Sequence, residues 1–329
     1  MADSEATDWA VGESLSHASL EKRADELGFS AVGVCRADRV DAEAESVMRE
    51  YVAAGHHGSM DYLARNMDKR IDPQKLVPGV RSIVSVALNY YPGREVEQQD
   101  HSLSLYAYGS DYHVVMKHRL FELFRLISED AAKAGIDLGG RAFCDTAPVS
   151  ERYWAWRAGL GFIGKNTLLI IPHKGSYFFL GELFLTSPYD SYDSPLGNKC
   201  GRCTRCMDAC PGGALYAPFR MDARRCLSYL TIENRDALPP GTAAEMDHCI
   251  YGCDRCQMAC PHNRFAVPTT IPELQPRPAL LAMTRDDWRH LTYEQYLELF
   301  RHSAVKRAKY EGLMRNIRAV EERDKDENS

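Results

Sequence analysis

The residues with the most chemistry to offer are cysteines: of eleven in the 329-residue chain, nine lie between positions 200 and 260. The first run reads Cys200-Gly-Arg-Cys203-Thr-Arg-Cys206-Met-Asp-Ala-Cys210-Pro211, the C-x2-C-x2-C-x3-C-P spacing that carries paired iron–sulfur clusters. The second run is Cys253-Asp-Arg-Cys256-Gln-Met-Ala-Cys260-Pro261, and Cys226 and Cys249 lie between the two. Three thiolates two residues apart wrap one face of a cubane from a single loop, while the fourth, followed by proline, is carried to the other cluster. Cluster one is therefore expected on Cys200, Cys203, Cys206 and Cys260. Cluster two is expected on Cys253, Cys256, Cys210 and either Cys226 or Cys249. A pair of structural zinc sites is the bland alternative. Zinc requires neither four cysteines in one run nor proline after the last cysteine of both.

The elements that must position these loops follow from pattern. At this length about two domains are expected, and 45% hydrophobic with 26% charged residues suits a globular protein with a real core. The start, Met1 to Ala10, is acidic and polar and is expected not to be a signal peptide. No stretch approaches the roughly 18 apolar residues of a membrane span. Many cysteines in such a chain point to thiolate ligation in a reducing cytoplasm. A helix is expected over Ser19–Leu27, with buried strands over Phe29–Cys35, Val80–Leu88, Arg141–Cys144 and Ser176–Leu185. Asp111 caps a long amphipathic helix to about Ala134, residues 94–100 read as an exposed loop, and the charged tail after Val320 reads as disordered.

Asp145 falls at a strand-to-helix junction, where a nearby positive helix end would lower its pKa and burial would raise it; a proton donor at neutral pH needs burial to win. Gly159-Leu-Gly161-Phe-Ile-Gly164-Lys165-Asn166 matches G-x-G-x-x-G, but it follows a helix and opens a strand, the wrong context for a dinucleotide loop. It reads as a turn that brings backbone amides close to a bulky ligand. Net charge is -6, against sequence-blind nucleic-acid binding, yet Arg301 to Arg318 holds six Lys or Arg and one Glu, a local charge of +5. That segregation suits a phosphate-binding face. Tyr106, Tyr108 and Tyr112 could stack on a base, with the core as the commoner fate of such residues.

Four motifs occur in order around the cysteine runs: Asp145-Thr-Ala-Pro, Arg157-Ala-Gly-Leu-Gly-Phe-Ile-Gly-Lys-Asn-Thr, Gly175-Ser-Tyr-Phe-Phe-Leu-Gly-Glu and Asp222-Ala-Arg-Arg-Cys226-Leu-Ser-Tyr-Leu-Thr-Ile-Glu. Together they resemble the epoxyqueuosine reductases, from about Leu20 to about Arg318. The resemblance implies an α+β fold: a nitroreductase-like, cobalamin-binding α/β catalytic domain over 1–190, a bacterial two-cluster ferredoxin-like domain over 191–275, and a short C-terminal helical segment over 276–329 with a basic face. It implies a cytoplasmic oxidoreductase that uses cobalamin and two 4Fe-4S clusters. Its substrate would be tRNA, from whose wobble-position epoxyqueuosine it removes the epoxide oxygen to give queuosine, the last step of that biosynthesis. Electrons would come from a flavodoxin- or ferredoxin-type donor and pass singly through the clusters to cobalt.

Carried over by motif, Asp145 matches the proton donor. Arg70, Ser104, Leu169 and Leu180, with Asp145 and Ser228, fall where the corrinoid is contacted. Cys226 matches a cluster ligand, which leaves Cys249 spare. Asp111-Tyr-His113 nearly meets the D-x-H-x-x-G pattern of histidine-ligated cobalt, but Met116 replaces the glycine, so His113 is not expected on the metal. Lys306, Arg307, Lys309 and Arg315 are the candidates for phosphate contact. The rival readings are a reductive dehalogenase-like enzyme acting on a small molecule, a ferredoxin-type electron carrier, and a zinc-stabilised RNA-binding module.

Overall fold

The computed structural model describes residues 14–93, 96 and 101–327. The strands among them are β1 (Ala31–Arg36), β2 (Ser82–Asn89), β3 (Ser102–Leu103), β4 (Gly140–Phe143), β5 (Phe162–Ile163), β6 (Leu169–Ile170), β7 (Phe178–Leu185) and β8 (Cys249–Tyr251). β1, β2, β7 and β4 form one sheet in that order, with every pair antiparallel. β2 is a near-continuous apolar run because it is central and covered on both faces.

Alternation along the strands divides the interior in two. Val84, Val86 and Leu88 join a core with the helices His17–Glu26 and Tyr112–Lys133. Ile83 and Ala87 join a second core with the helix Glu151–Arg157. At Gly33 on β1 an added Cβ would lie 2.0 Å from the Ala158 carbonyl oxygen, so only glycine lets the end of that helix rest on the sheet. The helix Ala42–Ala53 has no counterpart among the elements expected from the sequence. It is capped by Asp41, whose side chain accepts from Ala44 N, and Ala44, Val47, Met48, Tyr51 and Val52 recur on one half-buried face, with Ala44 and Met48 against the second core.

Segments far apart in sequence are tied to each other. β3 pairs in parallel with β8, Ser102 opposite Cys249. One core runs without interruption from Leu15 to Val320. The helix Lys309–Glu327 closes the chain against the second cysteine run: Asn316, fully buried, donates to the carbonyls of Thr231 and Ile250 at 2.9 Å each. This corrects the expectation of disorder after Val320. Helix continues to Glu327, and buried Glu321 is held by Arg285 Nε at 2.6 Å and Arg289 Nε at 2.9 Å. Charged residues there read as a solvated tail because their partners lie over thirty positions upstream. The expected loop 94–100 lies outside the described residues except for Val96, which is buried. No helix of the described residues is long and apolar enough to cross a membrane.

Candidate active site

Asp145 stands just beyond β4 with φ +57, and its turn is closed by the Thr146 N–H donating to the Cys144 carbonyl at 2.6 Å. Across from it, Asp111 caps the helix Tyr112–Lys133 and thereby aims the first two helical side chains at the strand end. Tyr112 Oη donates to Asp145 Oδ2 at 2.9 Å, and His113 Nε2 lies 3.1 Å from the same oxygen. The other ring nitrogen of His113, Nδ1, is 2.7 Å from Asp111 Oδ1. The Tyr112 ring stacks on His113 on one side and on Phe179 on the other, with centroids 4.1 and 4.2 Å apart.

These contacts decide where the proton sits. Burial works to lower the His113 pKa, but its bonds to Asp111 and Asp145 overcome that and raise it to about 9. For Asp145 the hydrogen bond from His113 is the largest effect, and with Tyr112 it outweighs burial and holds the carboxyl below its ordinary value. The condition set for a proton donor, that burial should win, is therefore not met at Asp145 itself: the pair is imidazolium and carboxylate at neutral pH. Burial and the nearby Asp145 charge push Glu151 up to about 7, and Glu151 accepts from the Asp145 backbone N–H. Behind it on β7, buried Glu182 is raised well above the usual range by desolvation and by Glu151. Neither Glu182 carboxyl oxygen has a partner among the described residues.

The other expected cofactor contacts separate into two groups. Arg70 donates to the Val149 carbonyl at 3.0 Å; burial lowers its pKa, while Glu151, Tyr62 and Asp145 act on it in the opposite sense. Leu169 on β6 and Leu180 on β7 pack with the core beneath the helix Glu151–Arg157. Ser104 is buried and bonded to Asp254 Oδ1 at 2.6 Å, and Ser228 lies in the helix that follows Cys226. Ser104 and Ser228 thus sit against the cysteine loops. Arg70 Nε and Asn166 Nδ2 are buried without partners among the described residues, donors that suit a ligand rich in acceptors such as a corrin with its amide side chains.

In the glycine-rich turn a Cβ on Gly161 would lie 2.3 Å from the Ile170 carbonyl oxygen, so this glycine lets β5 pack closely on β6. Its neighbour Lys165 reaches the cysteine loop, donating through Nζ to the carbonyls of Gly201 at 2.7 Å and Cys203 at 2.9 Å. Tyr106 and Tyr108 fill the core, and of the three tyrosines Tyr112 alone meets Asp145. The roles of Tyr112, Glu151 and His113 at Asp145 escaped the sequence reading. A chain position carries no mark of a carboxylate 32 residues away.

The thiols fall into two sets. Burial and then the fields of Cys200 and Cys260 raise Cys206; Cys260 in turn is raised by burial and by Cys200 and Cys203. Cys256 is raised by burial and then by Cys253, Cys226 and Cys210. Backbone N–H groups point at the sulfurs: Ala214 N is 3.2 Å from Cys210 Sγ, and the amides of Ser228 and Tyr229 face Cys226. Cys249 instead donates its thiol to the Gly252 carbonyl at 3.1 Å. Among the described residues no three His, Cys, Asp or Glu side chains converge closely enough to hold a single metal ion.

On the C-terminal segment Lys306, Arg307 and Lys309 are exposed. Arg307 is paired with Glu233 Oε2 at 2.7 Å, lies 5.7 Å from the Tyr62 ring centroid, and its charge helps lower the Asp145 pKa. Arg315 differs from the expectation of phosphate contact. Its guanidinium donates to the carbonyls of Leu230, Asn234 and Asp236 at 2.7, 3.0 and 2.6 Å, so its donors are spent inside the molecule.

Comparison with known proteins gives a consistent result. The family model described as epoxyqueuosine reductase QueG, DUF1730 matches residues 70–146, and the 4Fe-4S double cluster binding domain matches residues 199–263. Epoxyqueuosine reductase of Leadbetterella byssophila is 44% identical over 303 residues, spanning 92% of this chain and 97% of its own. A crystal structure of an epoxyqueuosine reductase with an epoxyqueuosine-modified tRNA-Tyr stem loop is 29% identical with a TM-score of 0.83, covering 92% of this chain and 80% of that one. The Bacillus subtilis enzyme, seen with an aspartate-bearing catalytic loop swung out of the active site, is 28% identical with a TM-score of 0.80 over the same shares. The chain belongs to the epoxyqueuosine reductase family.

Proposed function

We propose that the chain is an oxidoreductase that removes the epoxide oxygen of epoxyqueuosine at the wobble position of a tRNA anticodon, with Asp145 at the reacting oxygen. The observation that carries this reading is the Asp111–His113–Asp145 array in a chain whose residues 199–263 match a 4Fe-4S double cluster binding domain. Net reaction takes two electrons and two protons and converts the epoxide to an alkene and water. When bound, the clusters supply electrons one at a time and cobalamin supplies the metal centre at which the C–O bond is reduced.

The rest is done by side chains. Tyr112 and His113 fix the Asp145 carboxylate from two directions. His113 holds the proton that Asp145 passes to the departing oxygen, so that the two act as one acid near pH 7 and above. Glu151, its pKa pushed up to about 7 by burial and by the Asp145 charge, accepts from the Asp145 backbone N–H and so holds the turn that carries Asp145. Arg70 Nε and Asn166 Nδ2, buried without partners among the described residues, would donate to the corrinoid's acceptors, with Leu169 and Leu180 as its apolar neighbours. Cys200, Cys203, Cys206 and Cys260 would hold one cluster, and Cys210, Cys226, Cys253 and Cys256 the other. Lys306, Arg307 and Lys309 meet RNA phosphates, and Arg307 joins that face to Asp145. Residues 1–190, 191–275 and 276–329 correspond to catalytic, cluster-binding and helical parts.

The test is Asp145→Asn. The variant should retain its iron and its affinity for a modified stem loop and for cobalamin, yet lose turnover by at least about a hundredfold. Activity within a few-fold of wild type would overturn the role of Asp145.

A further inference from the structure

We propose that the exposed surface around the Cys200–Cys206 loop is a docking site for an acidic one-electron carrier protein. The proposal rests on the assignment of a cluster to this loop. A reductase that holds two clusters must take its electrons from outside, through the cluster nearer the surface. The set formed by Cys210, Cys226, Cys253 and Cys256 faces inward. Asp254 beside it is bonded to Ser104 Oγ and to the Leu105 N–H at 2.6 Å each, and the buried phenol of Tyr90 senses the field of Cys256. In the Cys200–Cys206 loop the residues between the thiols, Gly201, Arg202, Thr204 and Arg205, are exposed.

From Ser194 to Met221 the chain carries four Lys or Arg and one acid, a local charge of +3 on a chain of net charge -6. Lys199, Arg202 and Arg205 alternate with the thiols, are exposed, and make no ion pair among the described residues. The acid, Asp208, is engaged by Thr204 Oγ1 at 2.8 Å. Beside this basic rim stand two outward aromatics, Tyr216 and Phe219, 50% and 38% exposed. Phe219 is held at φ +64, a conformation that a bulky residue adopts only where its surroundings impose it. The imposing contact is its N–H donating to the Lys165 carbonyl at 3.1 Å, and Lys165 is the residue whose Nζ grips Gly201 and Cys203. One lysine therefore ties the exposed aromatic to the thiol loop. An aromatic centre with a cationic rim over a redox group suits a small, transient, charge-steered interface. The C-terminal basic face lies with Arg307 near Asp145, which assigns RNA to that side.

Each encounter transfers one electron: the reduced carrier is oxidised by one, the cluster is reduced by one, and no atom or proton changes hands. Two encounters serve one turnover.

The experiment follows cluster bleaching in the reconstituted chain by anaerobic stopped flow, with flavodoxin hydroquinone as the probe and photoreduced deazaflavin as a small-molecule control. The wild-type rate constant should fall steeply with ionic strength. Arg202→Glu with Arg205→Glu should lower it at least about tenfold at low salt and abolish its decline with salt. Iron content, deazaflavin bleaching and stem-loop affinity should stay unchanged. Should that pair disturb cluster loading, Phe219→Gly with Arg220→Glu, outside the ligand run, should still slow the carrier several-fold. Rates equal to wild type in a fully loaded variant, a wild-type chain bleached by deazaflavin but not by flavodoxin, or a loss of stem-loop affinity in its place, would each overturn the docking surface. Absence of iron and of deazaflavin bleaching in the wild type would instead refute the cluster assignment, and this proposal with it.

Discussion

Replacing Asp111 by Asn separates two things that Asp111 does at once. As the cap of the helix Tyr112–Lys133 it accepts from the His113 N–H at 3.0 Å, and as a charge it holds His113 Nδ1 at 2.7 Å. Asparagine caps about as well as aspartate, so the helix should survive while one of the two carboxylates facing the imidazole is lost. His113 rises from 6.5 to about 9, which corresponds to about 3 kcal/mol in favour of the imidazolium. Two carboxylates produce that against burial, and burial remains in the variant. Removing one should take away at least half, and bring the His113 pKa down by roughly one to two units. Because this pKa is raised, the protonated pair is complete below the unfolded value and is lost as pH rises through about 9. In Asp111→Asn the alkaline limb of the pH–rate profile should accordingly move to between about pH 7 and 8. Histidine NMR titration of the apo chain should report the same displacement. An alkaline limb unmoved from about 9 would refute the assignment of the proton to His113.

Three further outcomes follow from other parts of the molecule. Cys226→Ser should lose about four of roughly eight irons while Cys249→Ser loses none, counted by iron analysis after reconstitution; the reverse pattern would exchange the two ligands. Arg315→Ala strands three carbonyls and should cost about 2–3 kcal/mol in denaturant unfolding, with the salt slope of RNA binding unchanged. A normal midpoint with weakened RNA binding would return Arg315 to the phosphate-binding face. Glu182 has a raised pKa, so its ionisation opposes folding increasingly as pH rises above the unfolded value. Glu182→Gln should thus stabilise the chain more at pH 8 than at pH 5, read from thermal melts at both; equal shifts would show that the folded state does not raise the Glu182 pKa.

What the sequence could disclose depended on how far apart the interacting residues lie. The thiol loops were legible because three ligands within seven residues leave one geometry for the chain. The choice between Cys226 and Cys249 was not, since it turns on contacts made in the fold, the Ser228 and Tyr229 amides that face Cys226 and the Gly252 carbonyl to which Cys249 donates. Asp111 was readable as a cap from its local pattern, but its second partner, and the link through His113 to Asp145, depend on the helix meeting the end of β4. The basic count from Arg301 to Arg318 gave charge without direction. Arg315, in the helix Lys309–Glu327, turns inward to carbonyls, while Arg307, in the 3-10 turn Ala304–Ala308 ahead of it, is exposed and paired with Glu233. The helix Ala42–Ala53 carries a half-buried apolar stripe, Ala44, Val47, Met48, Tyr51 and Val52, that the sequence reading passed over.

Asn316 is bonded at once to the carbonyl ahead of Ile232 and to that of Ile250, the two strands of backbone that lead away from Cys226 and into Cys253. A fully buried amide from the last helix is thus the latch on the second thiol set. Fraying of that helix would open the set before any global unfolding. Resistance of the iron to a chelator then becomes a property of the final twenty residues, and its loss should keep pace with amide hydrogen exchange in the helix Lys309–Glu327. Tags or truncations placed at this end would be felt as leakage of iron long before they were felt as loss of fold.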